Sequence, residues 1–379
     1  MKNKDLPLSY IEISKDNLIH NIKQFRSILG KNTKISAVVK ANAYGHGDKE
    51  VVKIANAYVD YFQVDDVDEY KRIKNYTNKP IFIFGYTSGE DMTFAIKNGA
   101  VLTALDLSHL LKINKISSDL KKKTKVHIAI DSLLGREGIM PSQVKGFVEE
   151  IKNLKSVIID GVYSHFANIE DTMNRTHSEK QIEIYHKCLE IFKENGYKDI
   201  KTHISATSGI LVYENKKDLH NIVRLGIGIY GMWPSSHLEY LNKKKIILKP
   251  ILRWITHIAQ IKIIPANHPI GYGLTYITKK STKIAVVPQG YSDGFPRSLS
   301  NKGKILINGK FVKILGRVAM NMVVVDVSNI KNVSEEDEVV ILGSQGKNKI
   351  TTEDNARILE TINYEVVTNI NPFLPRVIK

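Results

Sequence analysis

The sequence predicts an α/β chain: a parallel sheet built from βα units, followed by a separate, mainly β domain. Three observations carry this. Up to about residue 240, short β-rich apolar runs alternate with longer helical patterns. Repeated βα units imply a parallel sheet, either doubly wound or closed into a barrel. Beyond that point strand candidates follow one another with little helix between them. The stretch from Met232-Trp-Pro-Ser-Ser236 to Lys245 separates the two textures and is the natural joint.

The elements follow in order. Ser14-Lys-Asp-Asn17 offers capping residues, Leu18, Ile19, Ile22, Phe25, Ile28 and Leu29 share one helical face, and Gly30 stops the helix. Strand candidates run over Lys34–Lys40, Tyr61–Val64, Pro80–Gly85, Val126–Asp131, Gly161–His165 and Lys201–Ser205. The second part offers Lys249–Ile264, Lys283–Pro288, Lys304–Leu315, Val318–Val327 and Glu338–Gly343. Within it, Asn308-Gly309 accepts the positive φ angles of a type I′ turn and signals a two-residue hairpin. A helix is predicted from Thr351, with Asp354 in its first turn.

A length of 379 residues allows two or more domains, and 42% apolar with 25% charged residues is ordinary globular composition. The net charge of +16 raises the question of nucleic acid. The lysines are scattered, however, and the densest runs, Lys121–Lys123 and Lys243–Lys245, are short and lack interleaved aromatics. They read as solvated surface, so no nucleic-acid partner is expected. Cys188 is the single cysteine, which excludes a disulfide framework within the chain. No apolar run approaches the ~18 residues that span a bilayer, and Met1-Lys-Asn-Lys-Asp-Leu-Pro7 has no apolar leader core. The expectation is a cytoplasmic protein with no membrane partner.

Lys40 closes the strand candidate Lys34–Lys40. The C-terminal ends of barrel strands are where active sites are built. A desolvated lysine amine there loses its charge and becomes a nucleophile toward aldehydes. Taken alone, a lysine just outside a strand reads as surface; its neighbours decide otherwise.

Ala37-Val-Val-Lys-Ala-Asn-Ala-Tyr-Gly-His-Gly47 resembles the lysine motif of the fold-type III pyridoxal-phosphate enzymes, in the alanine racemase form. The resemblance continues in order along nearly the whole chain. It takes in Asp131 with Gly135-Arg136, Ser164-His165-Phe166-Ala167 and Arg224-Leu-Gly-Ile-Gly-Ile-Tyr-Gly231. It goes on through Gly271-Tyr272-Gly273, Gly290 to Arg297, Gly316-Arg-Val-Ala-Met-Asn321 and Asn363-Tyr364-Glu365. It implies an N-terminal (β/α)8 TIM-type barrel over residues 1–243 that binds pyridoxal 5'-phosphate. A C-terminal mainly β domain over residues 244–379 would carry the second catalytic base.

By the same resemblance, Lys40 holds the cofactor through its amine. Tyr44 offers its hydroxyl to the cofactor phosphate, as do Thr207, with Ser208 beside it, and Tyr364, which also narrows the pocket. His165 lies by the pyridine ring in a packing and orienting role; His46 matches the motif but the resemblance assigns it no role, and a structural one is expected. Gly226-Ile-Gly-Ile-Tyr-Gly231 formally satisfies G-x-G-x-x-G. It lies deep in a βα series without an obvious acidic partner ~20 residues later, which argues against a dinucleotide site. With Arg224 it suits a phosphate cradle in which the Gly226 and Ile227 amides face the anion. Arg224 would then meet the pyridine nitrogen. Arginine does not readily give up its proton, so that nitrogen stays unprotonated and the ring is a weaker electron sink. This suits an enzyme that moves one proton only.

Inverting one carbon needs a proton to leave one face and another to arrive on the opposite face. The resemblance makes Lys40 the base for the D-enantiomer and Tyr272 the base for the L-enantiomer. A phenol titrates near ~10, so this role calls for neighbouring positive charge, and Arg136 is the candidate. Arg136 would also lie near the substrate carboxylate, Met320 would bind that carboxylate through its backbone N–H, and Tyr291 would line the access path. In the family the β domain facing each barrel belongs to a second subunit, implying a head-to-tail homodimer with shared active sites. The implied reaction interconverts L- and D-alanine, supplying D-alanine for peptidoglycan.

Four departures from the family pattern stand out. Ala129 stands where a carbamylated lysine commonly orients the arginine matching Arg136, so either an anion, a water or another side chain substitutes, or Arg136 is held less rigidly. Ser132-Leu133-Leu134 replaces Thr-Gly-Met, Ala319-Met320-Asn321 replaces Cys-Met-Asp, and Phe373-Leu-Pro-Arg376 replaces Arg-x-Pro-Arg. These changes leave open a racemase with serine, lysine, ornithine or broad specificity. A non-catalytic cofactor-binding barrel would need no β domain, which this chain has.

Overall fold

The computed structural model describes residues 6–213 and 220–379; the leader reading falls partly on residues 1–5, outside the described residues. The chain divides into two compact units. Its first strand, β1 (Tyr10–Ile13), belongs to the second of these.

The barrel unit comprises Leu18–Ala43 and Val51–Lys249. Its eight strands are β2 (Lys34–Val38), β3 (Tyr61–Val64), β4 (Ile81–Ile83), β5 (Val101–Ala104), β6 (Thr124–Ala129), β7 (Val157–Tyr163), β8 (Lys201–His203) and β9 (Ile222–Leu225). They form one parallel sheet in the order β8-β7-β6-β5-β4-β3-β2-β9. Arg224 N donates to Ser205 O at 3.0 Å, and a parallel bridge joins Ala206 to Arg224. These bring the two edge strands together, so the sheet is a nearly closed barrel rather than a doubly wound sheet. Helices separate the strands. The first, Lys15–Leu29, starts with Asn17 N donating to Ser14 Oγ at 3.3 Å, and buries Leu18, Ile22, Phe25 and Leu29 as their spacing predicts.

Aromatic and polar side chains from neighbouring barrel strands pack together, and Phe82 also packs with Val101 and Ile222. The Phe82 ring lies 4.6 Å from His127, and Phe84 lies 4.6 Å from Tyr163 and 5.7 Å from His203. Arg224 is seated against the Phe84 and Tyr163 rings, 5.8 and 5.5 Å from their centroids.

The β unit groups the described residues up to Asn17 with Tyr44–Glu50 and Pro250–Lys379. Its strands are β1, β10 (Leu252–His257), β11 (Gln260–Ile264), β12 (Pro269–Ile270), β13 (Tyr276–Ile277), β14 (Thr282–Val287), β15 (Lys304–Ile307), β16 (Lys310–Lys313), β17 (Val323–Asp326), β18 (Glu338–Gln345), β19 (Asn348–Ile350) and β20 (Arg376–Ile378). The main sheet runs β16-β15-β18-β10-β1-β20, with β19 on β18; β11-β14-β17 form a smaller sheet. Asn308 (φ 50) and Gly309 (φ 70) make the two-residue turn of the β15–β16 hairpin, in which Ile307 pairs with Lys310. Thr351 caps the helix Thr352–Leu359 in a capping box with Asp354.

The division differs from a linear cut between residues 243 and 244. β1 pairs antiparallel with β10 and parallel with β20, so the N-terminal segment joins the β unit. Tyr44–Glu50 joins it too: Arg376 Nη2 donates to Gly45 O at 2.8 Å. A Cβ on Gly45 would stand 1.9 Å from Val367 O.

Candidate active site

The C-terminal ends of the barrel strands carry most of the residues singled out from the sequence. Lys40 follows β2, and its Nζ lies 3.1 Å from Asp65 Oδ1, just past β3. Behind Lys40 the chain makes a left-handed turn: Ala41, Asn42, Ala43 and Tyr44 have φ of 52, 53, 52 and 54°. Such geometry costs roughly 1–2 kcal/mol per L-residue, so surrounding bonds must hold it. Glu69 does so. Its carboxylate accepts from Ala41 N at 2.6 Å and from Asp65 N at 2.8 Å, placing both the lysine turn and its acidic neighbour. Burial pushes the Glu69 carboxyl up, against the lowering effect of those amides. Neither Asp65 nor Glu69 stood out in the sequence, because neither lies in a recognisable motif.

Arg224, on β9, is buried at 4% exposure and has no carboxylate partner among the described residues. Its Nη2 donates to Ser164 O (2.8 Å), Ile204 O (3.0 Å) and His165 Nδ1 (2.9 Å); its Nη1 donates to His203 Nδ1 (2.7 Å). Burial lowers its pKa to about 10. Burial, followed by the Arg224 charge, holds His165 at about 3. His165 is therefore neutral, with Nδ1 as acceptor, and fits an orienting role.

Thr207 begins the helix Thr207–Val212, and its Oγ1 accepts from Gly228 N at 3.4 Å. This joins Thr207 to the turn Gly226-Ile227-Gly228. A Cβ on Gly228 would lie 2.5 Å from Phe25 Cζ and 2.8 Å from Thr207 Cγ2, so the close approach needs glycine. Ser208 does not join this turn; its hydroxyl donates to Glu170 at 2.8 Å. Ser205 Oγ, at the same strand end, is buried without a partner among the described residues.

Asp131 follows β6 and gathers the amides of Leu134 (2.8 Å), Gly135 (3.0 Å) and Arg136 (3.2 Å). It is the organiser of its loop. Arg136 is exposed and donates through Nη2 to Glu137 Oε1 at 2.7 Å. Glu137 is the side chain that pairs with Arg136 here, and Ala129 is buried in the barrel wall.

The β unit holds the remaining candidates. The Tyr44 and Tyr364 rings meet at 5.9 Å, which brings together the two tyrosines expected to serve one phosphate. His46 is buried, with Nδ1 2.9 Å from Tyr44 O, consistent with a structural part. Tyr272 is 72% exposed. Gly271 (φ 74) and Gly273 (φ 68) flank it, and the Arg317 guanidinium covers Gly273, leaving only 2.9 Å to a Cβ there. Arg317, which packs on the two glycines flanking Tyr272, showed in the sequence only as part of a motif. Tyr291 and Met320 sit in two loops locked together. Tyr291 N donates to Ala319 O at 3.1 Å, and Ser292 N and Oγ donate to Met320 O at 3.0 and 2.9 Å. Asn321 Nδ2 donates to Ser292 Oγ at 2.7 Å.

Among the described residues, no cluster of His, Cys, Asp or Glu could hold a metal, and no helix is long and apolar enough to cross a membrane.

Comparison with known proteins places this arrangement. The family described as "Alanine racemase, N-terminal domain" matches residues 13–234, and "Alanine racemase, C-terminal domain" matches residues 251–378. The chain is 36% identical over 370 residues to alanine racemase 2 of Caldanaerobacter subterraneus subsp. tengcongensis, covering 97% of this chain and 94% of that one. It is 35% identical over 389 residues to alanine racemase of Leptospira interrogans, covering 99% and 97%. Among solved structures, alanine racemase of Clostridium difficile 630 superposes with a TM-score of 0.92 at 32% identity, covering 99% and 96%. Alanine racemase of Bacillus anthracis with bound L-Ala-P superposes with a TM-score of 0.90 at 30% identity, covering 99% and 95%.

Proposed function

The chain belongs to the alanine racemase family, and from that premise we infer that it interconverts L- and D-alanine with pyridoxal 5'-phosphate as cofactor. One observation carries the reading: the family match spans both units, and within it a lysine stands on a strained turn at the C-terminal end of a barrel strand. The barrel residues fit the cofactor. Arg224 donates only to neutral acceptors, as a pyridine nitrogen is, and Ser205 Oγ is a buried hydroxyl in want of a partner. Lys40 would hold the cofactor. Arg224 and His165 would meet its ring. Tyr44, Thr207, Gly226, Ile227 and Tyr364 would take its phosphate. When bound, the cofactor withdraws electrons and acidifies the α-carbon of the amino acid joined to it.

The residues of the chain then move one proton. The Lys40 amine takes or gives it on one face. The Tyr272 phenol does so on the other. Arg224, a donor that keeps its proton, would leave the ring nitrogen unprotonated, a weaker electron sink that suits an enzyme moving one proton only. Met320 N–H and Arg136 would orient the substrate carboxylate, and Tyr291 and Tyr364 would restrict side-chain size. Tyr272 would come from a second copy of the chain in a head-to-tail dimer.

The test is direct. Purified protein is incubated with a panel of L-amino acids in deuterated water, and the enantiomers are separated. Alanine racemised fastest, with deuterium at the α-carbon of the product, is expected. Alanine among the poorest substrates would instead favour serine, lysine or ornithine, for which Asn321 and the altered C-terminal motif leave room.

A further inference from the structure

A hydrogen-bonded chain crosses the barrel interior from Arg224. Arg224 Nη1 donates to His203 Nδ1 at 2.7 Å. Guanidinium can only donate, so the His203 proton sits on Nε2. That nitrogen lies 2.7 Å from His127 Nδ1, which must accept, so the His127 proton also sits on Nε2. It points at Asp160 Oδ2, 3.2 Å away, while Lys201 Nζ donates to Asp160 Oδ1 at 2.6 Å. The direction is fixed at both ends, by a group that cannot accept and a carboxylate that cannot donate. Both imidazoles are 0% exposed.

The backbone is built for this. Val126 pairs with Ile159 but His127 pairs with Gly161, so Asp160 is the extra residue of a β-bulge in β7. Bulges re-aim a side chain, and this one delivers the carboxylate. A Cβ on the next residue, Gly161, would lie 2.5 Å from His127 Cε1, so glycine vacates the space that the imidazole fills. Burial holds both histidines below their usual range. Burial alone would raise the Asp160 carboxyl, but His127 and Lys201 hold it well below the usual carboxylate range.

We propose that Asp160 is a positioning residue: through His127 and His203 it anchors the proton arrangement that keeps Arg224 in place for the cofactor ring. This rests on the cofactor reading above. Arg224 has no carboxylate of its own, and Asp160 is the anion at the far end of its chain. Without an acceptor there, the system is frustrated. Either the buried His127 Nε2–H goes unmet, or both protons move to Nδ1 and His203 opposes Arg224 donor to donor.

The experiment uses holoenzyme with 15N-labelled histidine. Long-range proton–nitrogen correlation reads which ring nitrogen carries hydrogen, independently of racemisation. Wild type is expected to show Nε2–H on both His127 and His203. Asp160→Leu is expected to populate Nδ1–H on His127 and to lower kcat ~10-fold or more with KM little changed. Asp160→Asn keeps a carbonyl acceptor and is expected to restore both. If Asp160→Leu does not fold, Asp160→Ala is read in its place. Nδ1–H on either histidine in wild type overturns the proposal. So does a variant lacking the acceptor that keeps wild-type tautomers, or one that changes them without changing kcat.

Discussion

The Arg376 guanidinium donates to the carbonyl of Gly45 at 2.8 Å, tying the last strand of the chain to the turn that bears Tyr44. Gly45 has φ +79 and no room for a side chain, because Val367 O would lie 1.9 Å from its Cβ. Gly45→Ala is expected to cost about 3 kcal/mol or more, combining left-handed strain with backbone displacement. It should also weaken cofactor retention by moving Tyr44 away from Tyr364. Urea unfolding and cofactor dissociation during dialysis check the two effects; an unchanged midpoint would refute the packing argument.

Lys40→Ala is expected to abolish racemisation in both directions, by at least ~10²–10⁴-fold. It should also remove the borohydride-trapped adduct otherwise mapped to residue 40. A trapped adduct at another lysine would disprove the anchor.

Tyr272→Phe is expected to lower racemisation by about 10²–10⁴-fold while leaving cofactor binding intact. Exchange of the α-proton with solvent should survive for D-alanine, which Lys40 serves, and fall for L-alanine. Measuring deuterium wash-in for each enantiomer separates the faces. Equal rates in wild type and variant would mean that Tyr272 is not a base.

Stability should fall with acid before the carboxylates titrate. His127 and His203 are held below the usual histidine range by burial, and His220 is held at about 4. Each binds a proton in the unfolded chain below ~6.5 but stays neutral when folded. Their contribution is complete above that pH and is lost as pH falls toward the folded values. The slope is about 1.4 kcal/mol per pH unit for each histidine. Urea midpoints at pH 7.5, 6.5, 5.5 and 4.5 measure it; a flat profile between 6.5 and 4.5 would contradict the burial argument.

Much of the fold was legible in local pattern. The first helix, the hairpin at Asn308-Gly309, the capped helix after Thr351 and most strands fall where periodicity and turn chemistry predict. β5 escaped notice because Val101–Ala104 is four residues long and follows a Gly-Ala pair that reads as a helix end. The place of β1 is set by pairing with β10 and β20, which no local pattern reports. The continuous candidate Val318–Val327 yields a strand only from Val323, since its first half forms the Met320 loop. The site was legible where it lies in contiguous motifs, as at Lys40 and Gly271-Tyr272-Gly273. It was not where partners are distant in sequence. His127 and Asp160 are 33 residues apart, and His127 and His203 are 76 apart. The two histidines read as ordinary strand residues, and Asp160 lay just outside the candidate Gly161–His165, until the barrel brought them face to face.

The sheet that joins β1 to β20 has a consequence for biosynthesis. Lys15 N donates to Lys379 O at 2.9 Å, so the first strand finds its parallel neighbour only when nearly the entire chain exists. On a ribosome adding ~5–20 residues per second, the barrel segment emerges and can condense while β1 still waits. The opening strand spends that interval with an unpaired edge, the kind of surface that can template pairing with another chain.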